Sequence, residues 1–248
     1  YTGGIMNSIY SYTRSELADY FKGIGEKAFK SDQLFDWLYK KREVNFDNML
    51  NLNKSVISRL KTDMVIDSIK IIKKDVGNDV SKYLFLLNDG EKIEAVVMYH
   101  DYGTSLCIST QVGCNMSCAF CESGRLKKRR NLEASEMVLQ ILEIEKDINS
   151  RISHIVLMGI GEPFDNYTNV MKFIKIINDS KGIDIGARHI TISTCGLVNM
   201  IERYSNEGIQ TNLAISLHAP NDEIRDQLMP VNKAFNMDAL RKGVADYI

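Results

Sequence analysis

The sequence predicts an α/β protein whose main part is a parallel sheet, preceded by a small helical segment and a short antiparallel β segment. Three observations lead to this fold class. From residue 104 onward, strand-like runs alternate with helical periodicity, as in parallel sheets with right-handed helical crossovers. Residues 12–62 follow a helical pattern. Residues 68–99 hold apolar or alternating runs separated by turn signals.

The helical segment predicts three short helices, which we assign to an accessory domain over residues 1–66. Thr13 with Glu16 three positions later matches a capping box at the start of the first helix. Residues 30–42 and 51–64 repeat the apolar spacing of a helix face. The apolar positions of the three helices are Leu17, Tyr20 and Phe21, then Leu34, Trp37 and Leu38, then Val56, Ile57 and Leu60.

The β segment predicts three antiparallel strands, SIKIIKKDV, SKYLFLLND and KIEAVVMYH, which form a linker over residues 67–100. The core follows over residues 101–248. Its predicted strands cover residues 104–113, 154–159, 189–194 and 211–218. Its predicted helices cover residues 133–148, 166–179 and 199–206, with a last helix in the final stretch.

Composition and charge exclude some classes of protein. Lys and Arg total 31 against 32 Asp and Glu, a net charge of -1, which excludes a uniformly basic nucleic-acid binder but allows a local basic patch. Nothing resembles a membrane span or a secretory leader, so we expect a cytoplasmic monomer. The chain begins at Tyr1, with Met6 the first plausible initiator, and ends at Ile248 inside a helical pattern. We therefore expect a fragment that lacks its C-terminal part.

Four of the five cysteines fall within fifteen residues. An odd cysteine count without a leader favours metal or redox chemistry in a reducing compartment over a disulfide framework. Cys114, Cys118 and Cys121 have a spacing that lets three thiolates converge on one metal centre. Structural zinc sites and Fe–S electron carriers usually take four ligands, so three thiolates would leave one iron of a four-iron cluster open. The alternative is a zinc knuckle completed by a histidine, but residues 101–153 contain none.

Polar motifs follow the other predicted strands of the core. They are Gly159-Ile-Gly161-Glu162-Pro163, Ser193-Thr194-Cys195-Gly196 and Ser216-Leu217-His218-Ala219-Pro220-Asn221-Asp222. Phe164 occupies the position where a dinucleotide fingerprint needs another glycine. Barrel enzymes build their sites from residues at the carboxyl ends of parallel strands. The alternatives are a plain tight turn for the glycines and an ordinary packed histidine for His218.

The three-cysteine loop, with Phe120 between its last two cysteines, resembles the radical S-adenosylmethionine superfamily. That resemblance implies a partial (β/α)6 barrel, truncated in this chain. It implies a [4Fe–4S] cluster held by Cys114, Cys118 and Cys121, with S-adenosylmethionine chelating the open iron. One electron from the cluster then cleaves a carbon–sulfur bond of the cofactor to give a deoxyadenosyl radical.

A narrower resemblance is to the RlmN/Cfr family, radical enzymes that methylate adenine carbons in large-subunit ribosomal RNA. The motifs that carry it are QVGCNMSCAFC, GIGEP, ITISTCG, AISLHAPNDEIR, LMPVNK and, upstream, GEKAFKSDQLFDWLY. The resemblance implies methylation of C2 of an adenosine in 23S rRNA through a methyl-cysteine and a covalent protein–RNA intermediate. It further implies an RNA-binding role for the helical domain, transfer RNA as a second substrate, and a flavodoxin or ferredoxin as electron donor.

The same resemblance assigns individual residues. Cys107 matches the cysteine that resolves the intermediate, and Glu94 matches the base. The cofactor contacts are Gly161, Glu162, Ser193, Ser216, Leu217 and His218. The methyl-carrying cysteine and one late asparagine are expected beyond Ile248, and Cys195 receives no catalytic role. Without the resemblance, Cys107 would be interpreted as a buried small hydrophobe and Glu94 as a solvent-facing strand residue.

A basic segment follows the cysteines, with five positive charges at Arg125, Lys127, Lys128, Arg129 and Arg130. We expect it to contact RNA phosphates; the alternative is a solvated loop. Three other functions stay open from the sequence: the C8-methylating branch of the family, another radical S-adenosylmethionine enzyme, and a non-enzymatic Fe–S or zinc RNA-binding module. Metal content separates the last of these from the enzymes.

Overall fold

A computed structural model of the chain describes residues 7–248, so Tyr1 and Met6 lie outside the described residues. The helical segment contains β1 (Asn7–Ser8), α1 (Arg14–Gly23), α2 (Lys30–Phe35), α3 (Lys54–Asp63) and β2 (Met64–Val65). β1 and β2 pair in parallel and join the two ends of the segment. The capping box of Thr13 and Glu16 is confirmed. The second helix is shorter than predicted, because a π-helical turn over Asp36–Lys40 replaces its last part.

The rest of the chain alternates strands and helices as predicted. Its elements in chain order are β3 (Lys70–Val76), β4 (Val80–Leu86), β5 (Lys92–His100), β6 (Gly103–Cys107), β7 (Gln111–Val112), α4 (Glu122–Arg125), β8 (Arg130–Asn131), α5 (Ala134–Ile148), β9 (His154–Leu157), α6 (Tyr167–Ile177), β10 (Ile190–Thr194), α7 (Val198–Ser205), β11 (Asn212–Ile215), α8 (Asp222–Leu228) and α9 (Met237–Tyr247).

Seven of these strands form one mixed sheet in the order β11-β10-β9-β6-β5-β4-β3. The strands from β3 to β6 are antiparallel, whereas β6, β9, β10 and β11 run parallel. β6 belongs to both halves, so the three strands predicted as a linker continue directly into the sheet of the core. The four parallel strands with their intervening helices confirm the predicted α/β class.

The two faces of the parallel strands differ in burial. Leu106, Ile155 and Ile192 lie on the face that is fully buried in the hydrophobic core. The alternating positions on the other face, among them Cys107 and Val156, are only partly buried. Cys107 and Val156 are register partners, and Val156 pairs in turn with Thr191. Ser193, two residues after Thr191, lies on the same face, which therefore carries two residues of the predicted site.

The strand predicted over residues 104–113 ends at Cys107, and this part of the prediction is wrong. At Ser109, the backbone hydrogen bonds are made with a side chain instead of with a neighbouring strand. Its N–H donates to Oε1 of Gln140 at 3.0 Å, and its carbonyl accepts from Nε2 of the same residue at 3.0 Å. Its hydroxyl donates to the carbonyl of Glu94 at 2.6 Å. The chain therefore leaves the sheet six residues before the first cysteine of the loop.

The last predicted helix, in the stretch MDALRKGVADYI, is confirmed, but the chain after β11 also holds a helix that was not predicted. This part of the chain forms α8, a 3₁₀ turn over Pro230–Lys233, and α9. Pro230 has no N–H to continue a helical hydrogen-bond ladder, which explains the break. No helix within residues 7–248 combines the length and the apolar character needed to cross a membrane.

Replacing Gln140 by Leu should lower the free energy of unfolding, because two buried backbone groups of Ser109 lose their partner. The expected loss is roughly 1–3 kcal/mol for each unsatisfied group. Urea unfolding followed by circular dichroism measures it. The control Gln210→Leu changes an exposed residue and should leave stability nearly unchanged. Equal midpoints for the two variants would contradict this role of Gln140.

Candidate active site

The parallel strands end side by side, which brings four loops together. Cys107 pairs with Val156, and Thr194 pairs with Ile215. We call this side of the sheet the carboxyl edge. The four segments that meet there are residues 108–121, residues 159–162, residues 194–196 and residues 216–218. The predicted site residues on these segments are thus gathered at one edge, as the strand-end motifs indicated.

Residues 114–121, the cysteine loop, fold back on the chain that follows them. The N–H of Cys114 donates to the carbonyl of Leu126 at 2.9 Å. The N–H of Cys121 donates to the carbonyl of Cys118 at 3.1 Å. Gly113 precedes the loop with a φ of 74°, and a Cβ there would lie 2.3 Å from the carbonyl oxygen of Lys127. The loop is therefore compact, and only glycine fits at its entry.

The three thiols of the cysteine loop lie on one short segment and affect one another electrostatically. Burial, followed by the charges of Cys114 and Cys121, raises the pKa of the Cys118 thiol to about 11. Three cysteine thiols on one loop are the kind of donor that an Fe–S cluster takes, so the residue types fit the group that the sequence implies. Within residues 7–248, no three His, Cys, Asp or Glu side chains are drawn together tightly enough to hold a metal ion. Their assignment as cluster ligands stays a prediction.

The glycines of residues 159–162, the glycine loop, are required by contact with the segment after β6. A Cβ on Gly159 would lie 2.5 Å from the carbonyl oxygen of Ile108. Gly161 has a φ of 107°, and a Cβ there would lie 2.9 Å from the backbone nitrogen of Gln111. These separations are too short for any side chain. The sequence interpretation, which assigned Gly161 to cofactor binding, missed this close contact within the chain.

Glu162 joins the ends of two strands. Its side chain is almost fully buried. Oε2 accepts from the N–H of Cys195 at 2.8 Å, and Oε1 accepts from the N–H of Phe164 at 3.1 Å. Burial raises the pKa of Glu162, and these N–H donors oppose the rise. Each carboxylate oxygen can accept a second hydrogen bond, so a contact with the cofactor remains open and is still a prediction.

The remaining predicted cofactor contacts lie at the ends of β10 and β11. The hydroxyl oxygens of Ser193 and Ser216 are 3.5 Å apart. Leu217 is exposed. His218 has a φ of 54°, unusual for a residue with a Cβ. Its ring lies 4.4 Å from the ring of Phe120, centroid to centroid, and so it touches the cysteine loop across the carboxyl edge.

Glu94 and Cys107 lie on neighbouring antiparallel strands. Cys107 is opposite Val96, two residues beyond Glu94, so the side chains of Glu94 and Cys107 are diagonal neighbours on one face, roughly 7–8 Å apart. Glu94 forms an ion pair with Lys82 at 2.7 Å. Burial raises the pKa of the Cys107 thiol, so the sulfur carries its proton at neutral pH. A thiol and a carboxylate thus share the half-open face near the carboxyl edge.

The basic segment is mostly neutralised by carboxylates of its own chain. Its ion pairs are Arg125 with Glu122 at 3.3 Å, Lys128 with Asp165 at 2.8 Å, Arg129 with Glu91 at 2.5 Å, and Arg130 with Asp89 at 2.6 Å and Glu136 at 2.7 Å. For Lys127, no ion pair occurs within the part of the chain that the structure describes. Four of the five expected phosphate contacts are therefore already paired with acids.

Comparisons with known proteins identify the family of the chain. Residues 108–242 match the Radical SAM superfamily, and residues 7–66 match the family described as Ribosomal RNA large subunit methyltransferase N-terminal domain. The chain is 48% identical to the probable dual-specificity RNA methyltransferase RlmN of Enterococcus faecalis, over 97% of this chain and 69% of that protein. The chain belongs to the RlmN family of radical SAM methyltransferases.

Two further relatives are consistent with membership of the RlmN family. The protein of the same name from Spiroplasma citri is 50% identical over 98% of this chain and 72% of its own length. The crystal structure of a radical SAM methyltransferase from Sphaerobacter thermophilus superimposes with a TM-score of 0.88 at 35% identity, covering 97% of this chain and 72% of that one. Membership of the radical SAM superfamily implies an Fe–S cluster and S-adenosylmethionine as cofactors.

In this RlmN-family chain, sequence reasoning missed Gln111, which holds three loops together. Gln111 is fully buried. Its Nε2 donates to Oδ1 of Asn131 and to Oδ2 of Asp165, both at 2.8 Å. Its Oε1 accepts from the N–H of Glu162 at 2.9 Å. A polar residue directly ahead of the three-cysteine motif was the only available signal, because its partners are distant in sequence.

Replacing Gly159 by Ala should destabilise the protein by about 1–3 kcal/mol, because the new methyl group would overlap the carbonyl of Ile108. Gly186→Ala is the matched control. A Cβ at Gly186 has no atom within 4 Å, and the change should alter stability by less than about 1 kcal/mol. Thermal unfolding measures both variants, and iron analysis after anaerobic reconstitution reports on the cysteine loop. A Gly159→Ala variant as stable as the control would contradict the close contact.

Proposed function

We propose that this protein is a radical S-adenosylmethionine methyltransferase that methylates C2 of an adenosine in 23S rRNA and of adenosine in transfer RNA. The observation that carries the proposal is the gathering at one sheet edge of a three-thiol loop, a glycine–glutamate loop, two serine hydroxyls and a Cys107–Glu94 pair. The relatives are named as dual-specificity RNA methyltransferases, which supports two classes of RNA substrate.

Cys114, Cys118 and Cys121 would hold a [4Fe–4S] cluster. When bound, the cluster supplies the single electron that cleaves a carbon–sulfur bond of S-adenosylmethionine. With three protein thiolates as its ligands, the cluster would keep a position for S-adenosylmethionine. Phe120 and His218, whose rings touch, flank the loop and would shield one side of the site from water.

The cofactor itself would lie along the ends of β9, β10 and β11. Gly161 and Glu162 would receive its ammonium group, since a carboxylate suits a positive charge. The hydroxyls of Ser193 and Ser216 are close enough together to bind one polar group of the cofactor from two sides. Leu217 and His218 would contact the adenosyl portion, because both are exposed beside the cysteine loop.

Cys107 and Glu94 would act on the RNA. The carboxylate of Glu94 would take the proton that leaves C2 of adenine, which requires a base within hydrogen-bond reach. Its ion pair with Lys82 fixes the orientation of the carboxylate. The thiol of Cys107, protonated at neutral pH, would participate in breaking the link between protein and RNA. The target base must be splayed out of its stack to reach these groups.

The proposed reaction also requires an electron donor and an RNA-binding surface. A flavodoxin or ferredoxin would deliver the electron to the cluster. The cytoplasm is the compartment that keeps free thiols reduced, and we propose that the protein acts there as a monomer. The helical domain of residues 7–66 would contribute to RNA binding, since it matches the family described as the N-terminal domain of a ribosomal RNA methyltransferase.

The proposed function predicts a specific RNA mark in the source cells. Nucleosides from ribosomal and transfer RNA should contain 2-methyladenosine, which should disappear when the gene encoding this chain is deleted. Mass spectrometry against synthetic 2- and 8-methyladenosine standards measures the mark. The wild-type gene should restore it, and the Cys118→Ala gene should not. Loss of 8-methyladenosine instead would identify the C8-methylating branch, and no change in either nucleoside would contradict an RNA methyltransferase.

The same complementation distinguishes the roles of the two catalytic candidates. Cys107→Ala should fail to restore the mark and should leave RNA covalently attached to the protein on a denaturing gel. Glu94→Gln should lower the mark, because an amide of the same size is not a base. Glu202→Gln, on an exposed position of α7, is the control and should restore the mark fully. Normal methylation by Cys107→Ala would remove Cys107 from the mechanism.

The ion pairs of the basic segment predict different effects for two adjacent lysines. Lys127→Ala should reduce the slope of log K against log salt for RNA binding by about 0.7–0.9, the value of one phosphate contact. Lys128→Ala should leave that slope unchanged and lower stability, because Lys128 is committed to Asp165. Filter binding over a salt series measures both. Equal slopes for Lys127→Ala and the unchanged protein would mean that Lys127 does not contact RNA phosphates and that the basic segment has only a structural role.

A further inference from the structure

Arg225 is a fully buried arginine on α8 whose role neither the sequence motifs nor the proposed mechanism assigns. Its guanidinium donates to neutral oxygens only. Nε donates to the carbonyl of Leu217 at 3.2 Å, and Nη1 donates to Oδ1 of Asn232 at 2.7 Å. Nη2 donates to the carbonyl of Cys195 at 2.7 Å and to that of Ser216 at 3.4 Å. Three of these four acceptors are backbone atoms of the candidate cofactor site.

These carbonyls are the ones that the sheet leaves without partners. The pairing of β10 with β11 ends at Thr194 and Ile215, one residue before Cys195 and Ser216. Buried carbonyls beyond the end of a ladder need another donor. The guanidinium fork offers five N–H groups in a fixed plane, and it spans both strand ends at once.

The acids near Arg225 reach it through an amide. Nδ2 of Asn232 donates to Oδ1 of Asp222 at 2.9 Å and to Oδ1 of Asp226 at 2.7 Å, while its Oδ1 accepts from Arg225. Asp222 and Asp226 thus oppose the buried positive charge from beyond Asn232, and neither forms a bidentate ion pair with the guanidinium. The guanidinium is thereby left free to bind backbone carbonyls.

α8 also contacts the cysteine loop. The carbonyl of Leu228, at the end of α8, accepts from the N–H of Ala119 at 2.8 Å. Leu217, held by Arg225, directly precedes His218, whose backbone has a positive φ and whose ring touches Phe120. One short helix therefore contacts both the cysteine loop and the predicted cofactor contacts.

We propose that Arg225 is a positioning residue that holds the strand ends at residues 195 and 216–218 in the shape that receives S-adenosylmethionine. The inference rests on the proposed function, because that function identifies these segments as the cofactor site. Arg225 acts through the backbone of Cys195, Ser216 and Leu217 and does not itself contact the cofactor. A lysine keeps the positive charge but cannot reach both strand ends, because its single ammonium lacks the planar fork.

Arg225→Lys tests the proposal, with Arg151→Ala as the matched control. Arg151 also donates to two backbone carbonyls, those of Ile183 and Asp184, at 3.0 Å and 2.7 Å, but these lie away from the carboxyl edge. The reconstituted proteins are titrated anaerobically with S-adenosylmethionine by calorimetry. Iron content and the electron paramagnetic resonance spectrum of the reduced cluster are recorded beside each titration.

Arg225→Lys should keep the iron content and the cofactor-free spectrum of the unchanged protein. Its affinity for S-adenosylmethionine should fall roughly tenfold or more, because the arrangement of strand ends that receives the cofactor loses a hydrogen bond from a charged donor and its population falls by about a factor of ten. Amide hydrogen exchange should accelerate in peptides that contain residues 194–196 and 216–218, and not in the rest of the sheet. Arg151→Ala should keep its affinity.

Four outcomes would overturn the proposal. Equal affinities for Arg225→Lys and Arg151→Ala would mean that Arg225 has only a structural role. A parallel loss of iron in Arg225→Lys would mean that it acts on the cysteine loop instead. If Arg225→Lys does not fold, Asn232→Ser replaces it, because this change removes the acceptor of one guanidinium nitrogen. An affinity for S-adenosylmethionine unchanged by Asn232→Ser would also contradict the proposal. Failure of the unchanged protein to bind S-adenosylmethionine would overturn the proposed function and this inference together.

Discussion

The backbone of Gly159 lies so close to the carbonyl of Ile108 that a Cβ would come within 2.5 Å of its oxygen. This contact sets the distance between the loops that follow β6 and β9, and through them the position of the cysteine loop. Gly161, two residues later, lies equally close to Gln111 and likewise has no room for a Cβ. Because both neighbours are backbone or buried atoms, a side chain at either glycine could be accommodated only by moving a whole loop.

Buried polar side chains stabilise the segments that the close contact brings together. Gln140 pairs both backbone groups of Ser109, Gln111 links three loops, and Glu162 joins the ends of β9 and β10. Loss of a hydrogen-bond partner by any of these buried groups would lower the free energy of unfolding, because a buried polar atom without a partner is unfavourable. The carboxyl edge is therefore well braced where we propose that the cofactor binds, and its residues Phe120, Leu217 and His218 are exposed.

On the surface near the site, most of the basic residues are held in ion pairs. The basic segment looks like a nucleic-acid contact in sequence, yet most of its charges bind acids of the β4–β5 turn, of α5 and of the stretch before α6. These ion pairs tie the chain after the cysteines to the rest of the molecule. The proposed RNA contacts therefore fall to other surfaces and to residues such as Lys127, which has no ion pair within residues 7–248.

Local patterns in the sequence were sufficient to predict the α/β class, the capped first helix, the four polar strand ends and the three-thiol loop. Each of these depends on residues that are close in the chain, so spacing and periodicity reveal them. The end of β6 at Cys107, the paired basic segment and the role of Arg225 depended on partners 31, 37 or 30 residues away. Tertiary structure decided these features, because a side-chain hydrogen bond between distant segments leaves no periodic trace in the sequence.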